Sequence, residues 1–459
     1  MGAGLGWDES RLRYEILVVT LIAAVEFGVS TPLPAAGTGI GIHEGVASCS
    51  GSACHSRLAP TGRAVRQNEI TTWQDESSSF GAHSRAWRVL MHPRGEAISA
   101  RLGLGPAEKA PDCLGCHSDN AGARGQNFQV TDGVGCEACH GGSGAWLAPH
   151  YAVATTHKKN VALGMAPLEN PEERAKVCLD CHFGSGKAGQ FVTHKMMAAG
   201  HPRISFELGL FTALQQHHDE DADYALRKTL AGGSNLWAAG QAAALGRALS
   251  LYAGGPHSQE GSFPEFYFFD CQSCHRSIYD DPTRPLTAIA NPGRPLPTGT
   301  PPFNDENIIM LLAAARATAP EMATRLEDKS KAFHSAIARD AISARAAAQD
   351  LQRITQELAS RFAGTKFDRK NTFAILFAVI GEPSADRYTD YEGAAQAVMS
   401  IDTLLAALLS ANQISQAQAQ SMRPEISELY RIVRDPNAYR PAAYRAALAR
   451  VAAALRRIQ

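Results

Sequence analysis

The 459-residue chain holds nothing approaching the ~20 consecutive apolar residues of a central membrane span. A polytopic transporter is therefore excluded. It also lacks an excess of either charge, since 44 Lys and Arg stand against 45 Asp and Glu for a formal net charge of −1. Nucleic-acid binding needs a basic excess on at least one face, and that balance removes the usual case for it. No cysteine occurs beyond Cys274, and no C-x-x-C-K sequence occurs anywhere. Against these absences, 45% of the residues are hydrophobic, enough for a sizeable core and incompatible with wholesale disorder. The unusual features are ten Cys and sixteen His.

The cysteines form five pairs, each with histidine directly after its second member. Four are C-x-x-C-H: Cys113-x-x-Cys116-His117, Cys136-x-x-Cys139-His140, Cys178-x-x-Cys181-His182 and Cys271-x-x-Cys274-His275. The fifth is expanded, Cys49-Ser-Gly-Ser-Ala-Cys54-His55. At this composition, chance yields roughly 0.008 C-x-x-C-H motifs, so four are not coincidence. Each motif sets two thiols on one short turn, placed to form thioethers to the two vinyl groups of one haem. The adjacent histidine then lies under the iron as its proximal ligand. Structural zinc asks for paired C-x-x-C elements with four ligands per ion and leaves the fixed histidine offset unexplained. Five disulfides fail on the same point. The expected cofactor is haem c, five per chain, attached through Cys49, Cys54, Cys113, Cys116, Cys136, Cys139, Cys178, Cys181, Cys271 and Cys274, with His55, His117, His140, His182 and His275 on iron.

Residues 1–37 read as an export signal. Arg11 and Arg13 precede the apolar stretch Ile16 to Val25, and Pro32, Pro34 and Ala35-Ala36-Gly37 offer a break and a cleavage site. The expected location is the periplasm, with an uncleaved membrane anchor as the minority reading. Residues 38–280 form the expected pentahaem domain, rich in loops and glycine. Seven prolines between residues 281 and 302 mark a linker over 281–303. Residues 304–459 repeat apolar positions at helical spacing and predict a bundle of four or five amphipathic helices. The fold class expected is mainly α with extensive loops, a multihaem domain followed by an α-helical bundle. Two helices are expected within the haem domain, over residues 80–90 and 190–200.

Eleven histidines remain outside the motifs. Sixth ligands for the irons are expected from five of them. His83 shares an apolar helical face with Trp87, and His150 follows a flexible then apolar stretch after the Cys136 motif. His194 and His201 lie seven residues apart and can serve two adjacent haems, and His43 precedes the first motif. His157 is the reserve for His150. The run His217-His218-Asp219-Glu220-Asp221 reads as an exposed charged loop, and His92, His257 and His334 as structural. Iron with two histidine ligands has no open position, so such rings pass electrons and bind no substrate.

The segments Glu69-Ile-Thr-Thr-Trp73, Gly81-Ala-His83-Ser, Asp112-Cys113-Leu-Gly-Cys116-His117, Asp132-Gly-Val-Gly-Cys136-Glu-Ala-Cys139-His140-Gly141 and 194–207 carry a family likeness. The chain resembles the multihaem cytochromes c related to the tetrahaem cytochrome that takes electrons from hydroxylamine oxidoreductase. The resemblance covers roughly residues 42–278. It implies stacked haem pairs in a helix-and-loop fold, and distal roles for His83, His194 and His201. The chain departs from it in having five motifs, in the expanded first spacing and in its helical last third. The function expected is periplasmic electron transfer between a redox protein donor and acceptor, a membrane quinol-linked complex among the candidates. The alternative is an oxidoreductase acting on a small nitrogen or sulfur oxyanion at one five-coordinate haem. Lys-terminated motifs are common in haem nitrite reducers, so the absence of C-x-x-C-K weighs against it.

Overall fold

The computed structural model describes residues 41–59, 66–218, 224, 226, 232–259, 264–275, 290–297 and 299–459. The expected export signal, residues 219–221 and residues 281–289 of the expected linker lie outside the described residues. What is described is mainly α-helix and loop. Strand is limited, among the described residues, to two short parallel pieces, β1 (Ile42–His43) and β2 (Ala123–Arg124).

The first part of the chain carries short helices: α1 (Glu69–Trp73), α2 (Pro93–Leu102), α3 (Pro111–His117), α4 (Cys136–His140), α5 (Leu147–His150), α6 (His157–Ala162), α7 (Pro171–His182), α8 (His194–Ala198) and α9 (Leu208–Leu214). Three begin with proline at the first helical position, where a missing N–H costs nothing. Asn170, Thr193 and Glu207 accept backbone N–H groups at the starts of α7, α8 and α9. Glu207 also takes the Thr403 hydroxyl at 2.6 Å, which ties α9 to a helix near the end of the chain.

Residues 80–90, expected as one helix, form tight turns and two short 3-10 pieces instead. The carbonyls a helix would use internally have outside partners. His83 O accepts Val134 N at 3.0 Å, and Ala86 O lies 2.8 Å from His117 Nδ1. The second expected helix is shorter than 190–200, starting only at His194 under the Thr193 cap. Gly200, at φ +115°, lies beyond its end.

A long helix, α10 (Gly233–Ala253), opens the second half. It is followed by α11 (Glu306–Thr318), α12 (Pro320–Ile337), α13 (Ala341–Gly364), α14 (Arg369–Ile380), the single turn α15 (Glu382–Ala385), α16 (Tyr391–Ser410), α17 (Gln416–Ile432) and α18 (Pro441–Ile458). That is more helices than the four or five expected. The extra breaks fall at Pro320, Pro441 and the capping residues Asp340, Asp368, Asp390 and Ser415. Helix α10 precedes the proline-rich stretch in sequence yet packs along α13. One apolar core runs from Ala175, Leu179 and Phe183 through Trp237 and Leu249 to Leu455 and Ile458. Each fully buried large side chain in it contributes about 1.5–3 kcal/mol. Helix α16 is long and apolar enough to cross a membrane by composition, but it is 72% buried inside this core. The region before residue 170 differs. Its separate apolar cluster is only Val46, Ile70 and Trp73, with Cys136 against it.

Candidate metal centres

None of the ten cysteines is in a disulfide, and every motif histidine faces the ring of a second histidine from outside the motifs. Ring centroids lie 6.2 Å apart for His55 and His150, 6.3 Å for His117 and His201, and 6.2 Å for His140 and His217. His182 and His83 are 6.1 Å apart, and His275 and His194 5.9 Å. Four of the five outside rings are the expected His83, His150, His194 and His201.

The fifth is His217. The expected distal residue His43 stands elsewhere, held on β1 with its Nδ1 2.8 Å from Asp119 Oδ2. Burial alone would lower its pKa, but the Asp119 hydrogen bond and charge, with Glu137 nearby, raise it. His217 follows directly on α9, whose Glu207 cap and Phe211 place that helix over His182. The acidic residues after it made the segment read as solvated. His157 pairs with Glu169 at 2.9 Å, His257 stacks on Phe191, and His334 lies buried between the Ser330 and Phe303 carbonyls.

Four of the ten rings have an oxygen at Nδ1, whereas His182 Nδ1 is buried with no hydrogen-bond partner among the described residues. His55 Nδ1 meets Glu69 at 3.0 Å, His117 Nδ1 the Ala86 carbonyl, His201 Nδ1 the Pro202 carbonyl at 2.8 Å, and His217 Nδ1 the Gln215 carbonyl at 2.9 Å. An oxygen at Nδ1 fixes the proton there and leaves the Nε2 lone pair free for a metal. His150 Nδ1 faces the Asn160 amide at 3.3 Å while Asn160 Oδ1 is buried and unpaired. Turning that amide places the oxygen on the Nδ1 proton, the same arrangement. Burial pushes the His182 imidazole down to about 4 and lowers His83, which keeps both neutral, the form that ligates.

The motifs also touch one another. Cys49 lies beside Cys136, and Cys116 Sγ is 4.0 Å from the Cys181 carbonyl. Half-buried Cys139 lies within the electrostatic reach of Cys178 and Cys181, and α4 packs on α7. Burial pushes Cys139 up to about 12 and Cys178 up to about 11. Glu137, inside the third motif, accepts the backbone N–H groups of Glu44, Gly45 and Ser143 at 2.7–2.8 Å. That carboxylate seats β1 against the motif. Paired thiols, each beside a histidine that faces a second imidazole, are the donor set that covalently bound haem requires.

Residues 49–141 match the family model described as cytochrome c554 and c-prime. The stretch holds the first three motifs, and its likeness supports a multihaem cytochrome c family, which implies covalently bound haem c and haem-based electron transfer. No curated protein and no solved structure matches the chain.

Proposed function

Because the chain carries a multihaem cytochrome c segment, we propose that it is a five-haem electron carrier, each iron held between two histidines. The observation that carries this reading is the recurrence of one geometry at all five motifs. A ligating imidazole nitrogen sits about 2.0–2.1 Å from its metal. Two imidazoles on opposite sides of one ion therefore hold their ring centres roughly 6 Å apart. The five observed separations span 5.9–6.3 Å. Rings merely packed together would have no reason to share one spacing at five separate places.

Bound haem supplies a one-electron couple at iron; the residues supply its position, its ligands and its order along the chain. The thiol contacts put the first motif beside the third and the second beside the fourth. Cys139 joins the third to the fourth. His201 and His194, seven residues apart, join the second to the fifth. The order in space is then first, third, fourth, second, fifth, a single file with two ends. Every motif histidine has a partner ring, so no observation favours a substrate-binding haem.

The export reading of residues 1–37 puts this carrier in the periplasm, where thioether attachment and redox protein partners are both at hand. A donor and an acceptor, one of them a membrane quinol-linked complex, would meet the two ends. Pyridine haemochrome analysis of the purified chain tests the count. Five covalent haems are expected, and four or fewer overturn the reading.

A further inference from the structure

The five centres differ in what their histidines rest on. Among the described residues, the Nδ1 acceptors of His117, His201 and His217 are the backbone carbonyls of Ala86, Pro202 and Gln215. His55 instead meets a carboxylate, Glu69 Oε2 at 3.0 Å. His182 Nδ1 has no partner at all among the described residues, with Phe206 stacked on its ring at 4.9 Å and Phe211 edge-on at 5.1 Å. Glu69 is held over His55 by its own backbone. Ile70 N donates to His55 O at 3.1 Å and Arg57 N to Gln67 O at 2.9 Å, which laces the two segments together on both sides of the pair. Along α1, Ile70 and Trp73 are buried with Val46, and Trp73 Nε1 donates to Val134 O at 3.2 Å. The side chains of His55 and Glu69 are 34% and 18% exposed, so water screens their contact only in part.

Oxidised iron carries one more positive charge than reduced iron. Glu69 therefore acts on the first centre twice in the same direction. A carboxylate on the imidazole N–H makes the ring a more basic ligand, which favours the oxidised state. Its negative charge, partly shielded from water, also attracts the added positive charge directly. A neutral carbonyl gives the first effect in weaker form, because hydrogen bonds with an ionised partner are roughly twice as strong, and it lacks the second. A buried imidazole between two phenyl rings has neither, and added charge is disfavoured there. The second centre, His117 with His201, rests on two carbonyls, and the fourth contains His182. Removing the outer partner of a metal-bound histidine changes metal affinity or activity by about 10–100-fold, which sets the scale of the effect.

We propose that Glu69 is a positioning residue that sets the direction of electron flow: through His55 it favours the oxidised state of the first centre about tenfold, so that an electron given to that end of the file by a donor protein moves inward, towards the fourth and second centres. One electron arrives from the donor and reduces the first centre, and the same electron, passed inward, restores the oxidised state. The inference rests on the five-haem reading above. It adds which of the two ends receives electrons, and it assigns that choice to one side chain.

The test is spectroelectrochemical titration of the full haem-loaded chain at constant pH, with haem content measured first. Fewer than five covalent haems in the wild type would refute the five-haem reading, independently of Glu69. With five present, Glu69→Gln keeps a hydrogen-bond acceptor at His55 and removes its charge. One of the five midpoint potentials should then rise by about 59 mV, a tenfold change in a one-electron equilibrium. His150→Ala, which opens the first iron alone to carbon monoxide, identifies that potential as the first centre's. Five potentials unchanged by Glu69→Gln, or a rise confined to another centre, would overturn the proposal. Should either variant fail to load five haems, nuclear magnetic resonance of the wild type through a stepwise reduction decides. A first centre still oxidised when the second and fourth are reduced supports the assignment, and the reverse order sinks it.

Discussion

Replacing His217 by alanine separates the structural assignment from the one that sequence position suggested. His217 is the ring 6.2 Å from His140, whereas His43 bonds Asp119 instead. Loss of His217 should leave one iron of five with an open axial position, so one fifth of the low-spin signal should convert to high spin. The same variant should bind one equivalent of carbon monoxide per chain when reduced, against none for the wild type. His218, with its ring centroid 5.2 Å from that of His217, is close enough to swing in. His217→Ala combined with His218→Ala removes that rescue, and the open site must then appear. His43→Ala should leave all five irons low-spin. Electron paramagnetic resonance and carbon monoxide titration read both outcomes. If His43→Ala opened an iron while the His217/His218 double variant did not, the ring-pair reasoning would be refuted.

Other outcomes follow from the same contacts. Arg294→Met strands three buried carboxylates and should destabilise the protein by about 3–5 kcal/mol, with the fifth haem the first to loosen; Arg423→Met, at a surface pair with Asp402, should cost less than about 1 kcal/mol. Denaturant midpoints read by tryptophan fluorescence compare the two. Glu137→Gln removes the charge from three hydrogen bonds that seat β1 and should expose residues 41–46 to limited proteolysis without loss of the bundle. Burial works against Glu327, but hydrogen bonds from Arg316 and Lys331 and the charge of Arg387 lower its carboxyl to about 2. A carboxyl lowered in the folded state stabilises above its ordinary value of 4.5, and that contribution is lost as pH falls from there towards 2. Glu327→Gln should flatten the acid limb of stability against pH, measured by thermal unfolding; an unchanged limb would assign acid sensitivity elsewhere.

The chemistry of this protein was legible in one dimension. A C-x-x-C-H turn places its thiols and its histidine by local geometry alone, so five motifs identified the cofactor without any knowledge of the fold. Helical periodicity likewise exposed the bundle, though not its extent: α10 reads as part of the haem domain by position and joins the bundle only by packing. The partners across each motif were another matter. On paper His43 is the expected ligand and His217 part of a charged loop, because sequence position does not show which segment a folded neighbour brings within reach. The fold leaves His43 on β1 beside Asp119, and α9 delivers His217 to His140. The charged cluster beside Cys271 is the extreme case, drawing Arg203, Glu306 and Glu392 from three distant segments. Covalent attachment is written into adjacent residues; ligation across a ring and charge balance in a core are long-range sums, and only the packed chain performs them.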